Sequence, residues 1–240
     1  MPYKRMLLSL LFLVSLSNLQ SQSLTEIMEM HYKAINQEAL SAANNLHIVS
    51  TVNRLSQSIK VEIWQERPHK MRMEVLSNGE KIIQVFDGEK GYVVSPMYGI
   101  TDAQEVTGPQ LLALASQADM DGDLFQWKEK GYSLELEGIE EFENTTVFIL
   151  QLISEEGAIK RYYLDGESYL PIKMVDSYIE NNKRVEAETY FKDYQVFEDI
   201  KMATIKENML NGFKSNTIKI QKIEFDIELP KDIFLKPVKQ

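Results

Sequence analysis

A period-two alternation of apolar and polar residues, repeated along most of the chain, limits its fold more than any other feature of the sequence. Between 58 and 66, Ile59, Val61 and Ile63 alternate with Lys60, Glu62 and Trp64; between 70 and 76, Met71, Met73 and Val75 alternate with Lys70, Arg72 and Glu74. The pattern returns at Tyr132, Leu134 and Leu136, and again at Ile223, Phe225, Ile227 and Leu229. Successive side chains of a strand point to opposite faces, so this spacing gives strands with one buried and one wet face, as antiparallel sheets allow. Turn-forming residues separate the runs: Ser77-Asn78-Gly79, Asp87-Gly88, Glu156-Gly157, Asp165-Gly166, Asn181-Asn182 and Asn211-Gly212. The spacing predicts about ten or eleven strands.

Two stretches break this period. Ser23 with Glu26 three residues later forms a capping box, and Leu24, Ile27, Met28, His31 and Ile35 then recur at helical spacing, which predicts a helix fading near Asn44-Asn45. Residues 96–130 show no alternation. Thr107-Gly108-Pro109 leads into Leu111, Leu112, Leu114 and Ala115, a short helix beginning beside a proline, and a second short helix is expected from Leu124 to Lys130, closed by Gly131. No Pro/Gly/Ser-rich linker divides the chain, so 22–240 reads as one domain. A sheet this large must cover its apolar face, and one helix with a short insert is small for that task. Two solutions remain open: a closed barrel, or a curved sheet with helices lying in its concavity. The second leaves an apolar pocket beneath the helices, the usual form of a small-molecule site.

The amino terminus carries Lys4 and Arg5, an apolar run from Met6 to Leu16, and small residues at Ser21 and Ser23, the layout of a secretory signal peptide over 1–21. The apolar run falls short of the roughly 20 residues a membrane-spanning helix needs. The chain has no cysteine, which excludes a disulfide scaffold and attachment of a lipid to a cysteine after the signal. The expected location is therefore the periplasm, as a soluble, unanchored protein. Without residues 1–21 the chain has 24 basic against 36 acidic residues, net −12. Such a surface repels phosphate backbones and anionic headgroups, so nucleic acid is not an expected partner.

Tests for chemistry return little. His31, His47 and His69 have no metal-ligand spacing; His31 reads as a packed helix residue, His47 and His69 as solvated positions at strand edges. No nucleophile elbow or phosphate-binding loop occurs, and neither catalysis nor a cofactor is expected. Asp119, Asp121 and Asp123 stand at positions 1, 3 and 5 of a calcium loop, but Leu124 and Lys130 occupy the places that need glycine and glutamate. They read as a polar connection, and no metal is expected. The informative charge is Arg67. Counting by twos it shares the face of Ile59, Val61 and Ile63, and Pro68 then ends the strand. A guanidinium sent toward a core must find acceptors or reach water at the strand's end; if it finds acceptors, it can latch a cover over the pocket. Met71, Met73, Met97 and Met28 are pliable apolar side chains suited to a cavity, and equally to ordinary core filling.

The series Trp64-x-x-Arg67-Pro68-x-Lys70-x-Arg72-x-Glu74, followed by Asp87-Gly88-x-x-x-Tyr92-x-x-x-Pro96 and later by Leu229-Pro230-x-Asp232-x-Phe234-x-x-Pro237, resembles the periplasmic lipoprotein carriers of the LolA/LolB-like group, in particular lipoprotein-sorting-like proteins of Bacteroidetes-type bacteria. The resemblance implies an incomplete β-barrel, open on one side and lidded by the amino-terminal helix and the insert, whose cavity takes lipoprotein acyl chains or another lipid for transfer toward the outer membrane. It implies an inner-membrane donor, an outer-membrane acceptor and a monomeric carrier. It also implies that Arg67 holds the lid closed and that Leu229 to Pro237 form a closing strand. The expected cavity wall is Ile59, Val61, Ile63, Met71, Met73, Val85, Tyr92, Val94, Met97, Leu111, Leu112 and Leu114. The same fold also serves non-catalytic envelope sensors, the alternative reading.

Overall fold

The computed structural model describes residues 22–55, 57–77, 79–180 and 183–238. The signal-peptide reading of 1–21 lies outside the described residues, as do Asn78 and Asn181-Asn182 of two expected turns. Helices α1 (Leu24–Ile35) and α2 (Gln37–Ala42) open the chain, followed by strands β1 (Asn45–Arg54), β2 (Gln57–Glu66), β3 (Lys70–Ser77), β4 (Glu80–Phe86), β5 (Gly91–Ser95) and β6 (Ile100–Val106). Helix α3 (Gly108–Gln117) leads into β7 (Ser133–Phe142), β8 (Thr145–Ile153), β9 (Ile159–Asp165), β10 (Pro171–Glu180), β11 (Lys183–Phe197), β12 (Ile200–Leu210) and β13 (Phe213–Phe225). All thirteen strands form one antiparallel sheet in the order β6-β5-β4-β3-β2-β1-β13-β12-β11-β10-β9-β8-β7. Two meanders therefore meet at a central β1–β13 seam, and β6 and β7 remain as free edges: the sheet is not closed into a barrel.

The expected amino-terminal helix is two helices. The capping box is present, with Ser23 accepting from the Glu26 amide and Glu26 from the Ser23 amide, but Asn36 adopts φ 57°, ends α1 and caps α2. Asparagine tolerates this left-handed conformation because its side chain bonds locally. The insert also differs from expectation. It contains an edge strand, β6, and the stretch 123–131 is a series of turns, not a second helix. The expected closing strand after Phe225 is absent too. Asp226 takes φ 49°, its carboxylate accepts the Asn44 amide, and residues 227–238 fold back over the convex face of the sheet.

Register fixes which side chains look inward. Ile48 pairs with Ile63 and Ile63 with Met73, Gln65 pairs with Met71, Met71 with Phe86, and Phe86 with Gly91, so these residues share the concave face. Helix α3 packs here. A Cβ on Gly91 would meet Val106 Cγ2 at 2.6 Å and Leu114 Cδ1 at 2.9 Å, so glycine is what lets the helix sit this close. Three concave clusters result: Met71, Phe86, Val106 and Leu114 under α3; Leu40, Leu46, Ile200 and Phe225 under α2; and Ile27, Met28, Phe148, Leu150 and Leu164 under α1.

Candidate functional site

The three clusters do not fill the concavity. A cavity of about 400 Å³ lies between the central strands and a cover made of α1, α2 and the connection 117–124. Its floor includes Leu46, Ile48, Ile63, Met71 and Phe191, and its roof includes Ile35, Leu40, Met120 and Leu124. Pockets of roughly 300–1,000 Å³ with mostly apolar walls are the usual size for small ligands.

Arg67 stands where β2 ends and joins the roof to the sheet. Its Nε donates to the Ala43 carbonyl (2.8 Å) and its Nη2 to the Leu40 carbonyl (2.9 Å), at the open end of α2. Two further bonds run to the Asp121 carboxylate, Nη1 at 2.5 Å and Nη2 at 2.9 Å, a bidentate pair of the strong kind. Asp121 also accepts from Gln37 Nε2 (2.9 Å) and Ser41 Oγ (3.1 Å) of α2. Burial works to raise the Asp121 pKa, but the hydrogen bonds and charge of Arg67, with help from Ser41 and Lys130, outweigh it and hold the carboxyl below its usual value. The neighbouring aspartates are engaged as well: Asp119 pairs with Lys130 (2.5 Å), and Asp123 with Lys160 (2.6 Å) and the Tyr162 hydroxyl (3.0 Å). The triplet that resembles part of a calcium loop is thus a set of three ties, each to a different cation.

The expected wall residues are dispersed. Ile63 and Met71 line the cavity. Ile59 and Val61 share its face by register, and Met73, Leu111 and Leu114 pack in the filled cluster under α3. Met97 and Leu112 are corrections: they are 41% and 71% exposed, on the outside of a 3-10 turn and of α3. Val85, Tyr92 and Val94 are corrections of another kind. They lie on the convex face, where Val85, Val94 and Ile83 form their own cluster and Lys236 of the carboxy-terminal segment rests over the Tyr92 ring at 5.6 Å. His47 is not a solvated edge residue. It stacks on Trp64 at 4.8 Å and lies 3.3 Å from both Glu62 and Glu224. His31 is packed as expected, with Nδ1 donating to the Tyr169 carbonyl (2.9 Å), and it also borders the cavity.

The sequence reading missed Asp121 as the partner of Arg67, although an inward guanidinium demands a carboxylate. It also missed the strand β12 contribution, where Ile200, Met202 and Lys206 all border the cavity.

No family model matches the sequence, and no curated protein matches it. Solved structures do. A LolA superfamily protein from Nitrosomonas europaea superposes with a TM-score of 0.60 at 12% identity, over 90% of this chain and 99% of that one. A DUF1329 family protein from Desulfovibrio piger gives 0.59 at 12% identity, over 87% and 96%. A putative outer membrane lipoprotein-sorting protein domain from Vibrio parahaemolyticus gives 0.57 at 12% identity, over 88% and 97%. With its open antiparallel sheet, helical cover and near-complete overlap, this chain has the LolA-like fold.

Proposed function

We propose that the protein is a non-catalytic periplasmic carrier that takes a lipoprotein acyl chain or another lipid into the covered cavity, for transfer toward the outer membrane. The observation that carries the reading is the cavity itself: a mostly apolar space of about 400 Å³ whose roof is joined to the sheet by hydrogen bonds, four of them from Arg67 and others from Gln65 to the Gln117 carbonyl and from Lys160 and Tyr162 to Asp123. The polar contacts of the roof can be released and re-formed, and its apolar contacts, Leu40 and Met120 against Leu46, Ile200 and Phe225, are of the kind an entering chain can replace. Burying an acyl chain stabilises the complex by about 0.8 kcal/mol per methylene, so about ten buried methylenes contribute ~8 kcal/mol, the scale of micromolar binding before ordering costs. Under this reading Arg67 is the latch, and the residues beneath it receive the chain. Among the described residues no helix is long and apolar enough to cross a membrane.

Native mass spectrometry of protein purified from an envelope fraction tests the reading. A mass increment that extracts into organic solvent as lipid supports it. Protein recovered free of lipid, together with no fluorescence gain on mixing with an acyl-chain probe, refutes it. A stoichiometric protein partner captured in place of lipid favours a sensor on the same fold.

A further inference from the structure

We propose that the cavity takes an amphiphile with an anionic head, a carboxylate or a phosphate, and that the Lys206 ammonium seats this head inside the cavity. The inference rests on the carrier reading and narrows its ligand class. Lys206 borders the cavity from β12, level with Phe191 on β11 and Ile218 on β13. Its ammonium lies 5.9 Å from the centre of the Phe191 ring, and among the described residues it has no carboxylate at ion-pair distance. Beyond it the concave face turns polar and self-satisfied: the Thr189 hydroxyl donates to Asn208 Oδ1 (2.9 Å) and Asn208 Nδ2 to Asn216 Oδ1 (2.8 Å). Lys206 therefore marks the border between an apolar compartment and a polar one, as the head-to-tail boundary of an amphiphile requires.

Charge balance points the same way. The cavity's three carboxylates, Asp119, Asp121 and Asp123, each already hold a cation: Lys130, Arg67 and Lys160. Lys206, with Lys201 at the start of the same strand, is left as positive charge in excess. Burial pushes the Lys206 pKa down, the mark of an ammonium short of counter-charge and water. A methionine would fill the same space with no desolvation cost, so a lysine kept only for its stem is poorly chosen. An arriving anion supplies what the site lacks, whereas a neutral chain would leave the ammonium unpaired.

The test is displacement of a fluorescent acyl probe by hexadecanoate, hexadecyl phosphate and hexadecanol, which share one chain and differ in the head. Wild-type protein is expected to release the probe to at least one of the two anions at a concentration roughly tenfold or more below that needed with the alcohol, as for a charge-assisted contact. Which anion shows the larger ratio identifies the head as carboxylate or phosphate. In Lys206→Met the anion-to-alcohol ratio falls toward one, and in Lys206→Arg it is kept; Lys206→Gln serves should the methionine variant not fold. A wild-type ratio near one, a ratio that survives Lys206→Met, or a ratio lost only in Lys201→Met overturns the inference. If the probe itself does not bind, the carrier reading falls with it; if alcohol displaces the probe as well as the anions do, only the anion seat falls.

Discussion

Replacing Arg67 with leucine removes four hydrogen bonds from the roof while keeping an apolar side chain at the end of β2. Removing one partner of a buried ion pair costs ~3–5 kcal/mol, because the other charge is left uncompensated. Here two facts reduce that figure. The Arg67 side chain is 26% exposed, so solvent already screens part of the pair, and Asp121 retains Gln37 and Ser41 as donors. About 2–3 kcal/mol remains, and it falls on the closed arrangement of the roof, which shifts a closed-to-open equilibrium by roughly 30- to 150-fold. Hydrogen exchange resolved by peptide reads this directly. Amides of 117–131 and of α2 are expected to exchange faster by that factor, while β8, buried in the β7–β13 meander, stays protected. A ligand that binds only the open form then binds more tightly, because a larger share of the empty protein is competent. Transfer to an acceptor slows for the same reason, since re-closing of the latch no longer drives release. Asp121→Asn, which keeps the side-chain shape, gives a smaller shift of the same sign. Unchanged exchange in 117–131 refutes the latch. So does a uniform acceleration over the whole sheet, which would make Arg67 a support of the fold and not of the roof.

Gly91→Ala places a methyl 2.6–3.0 Å from Val106, Leu114 and Leu111. Overpacking of this kind costs ~1–3 kcal/mol, a fall in Tm of roughly 2–12 °C for a domain of this size, and an unchanged melting curve would show that α3 does not rest on that strand. Phe234, the buried anchor of the returning carboxy-terminal segment, with the Lys70 ammonium 5.9 Å from its ring, is expected to cost about 3 kcal/mol on change to alanine, and trypsin should then cut after Lys231 much faster than in wild type. Equal cleavage rates would mean that the segment is held by its polar contacts alone. His31 is kept neutral by burial, which lowers its pKa below 6.5 against the opposing bond from the Tyr169 carbonyl. The unfolded chain takes up a proton below pH 6.5 where folded His31 does not, so stability declines as pH falls below 6.5, by at most about 1.4 kcal/mol per pH unit for this one group. Denaturant titrations of His31→Gln should show that slope reduced; an identical slope assigns the acid sensitivity elsewhere.

How much of this was legible depended on whether one face of an element stays wet. In β2 and β3 the convex side carries Lys60, Glu62, Lys70, Arg72 and Glu74, so alternation named the inward residues, and the same parity sent Arg67 inward. Strand β4 reads Ile82-Ile83-Gln84-Val85-Phe86, apolar on both sides, because the carboxy-terminal segment covers the convex face there. Strands buried on both faces, β4 and β5, do not announce which side meets the cavity, so Val85, Tyr92 and Val94 read as cavity residues although they lie on the convex face. Edge strand β6, Ile-Thr-Asp-Ala-Gln-Glu-Val, is mostly exposed and lacks the alternation that marks a half-buried strand. The break at Asn36 is invisible to periodicity, because Ala39 and Leu40 continue the apolar face on a new axis. Lys206 was legible in principle. It shares parity with Ile200 and Met202, the argument that singled out Arg67.

The three ties of the roof are not equivalent, and their differences set how it can open. Asp119 is tied to Lys130 within the same connection, which stiffens the segment without anchoring it to the sheet. Asp123 is tied to Lys160 and Tyr162 on β9, so this end of the roof belongs to the β7–β13 meander. Asp121 is bonded to Gln37 and Ser41, so the middle of the segment and α2 form one body, and Arg67 grips that body at three points: Asp121 itself and the carbonyls of Leu40 and Ala43. Release at Arg67 therefore leaves α2 and the connection held to β2 only by the Gln65 bond to the Gln117 carbonyl (2.6 Å), while Asp123 still holds the far side. Under the carrier reading the roof swings about the β9 tie and opens over Ile63 and Met71, and the chain enters beside β2 with Lys206 ahead of it across the β1–β13 seam. An amphiphile threading in that direction leads with its head, and Lys206, on β12 three strands from β2 in the sheet order, is where that head would arrive.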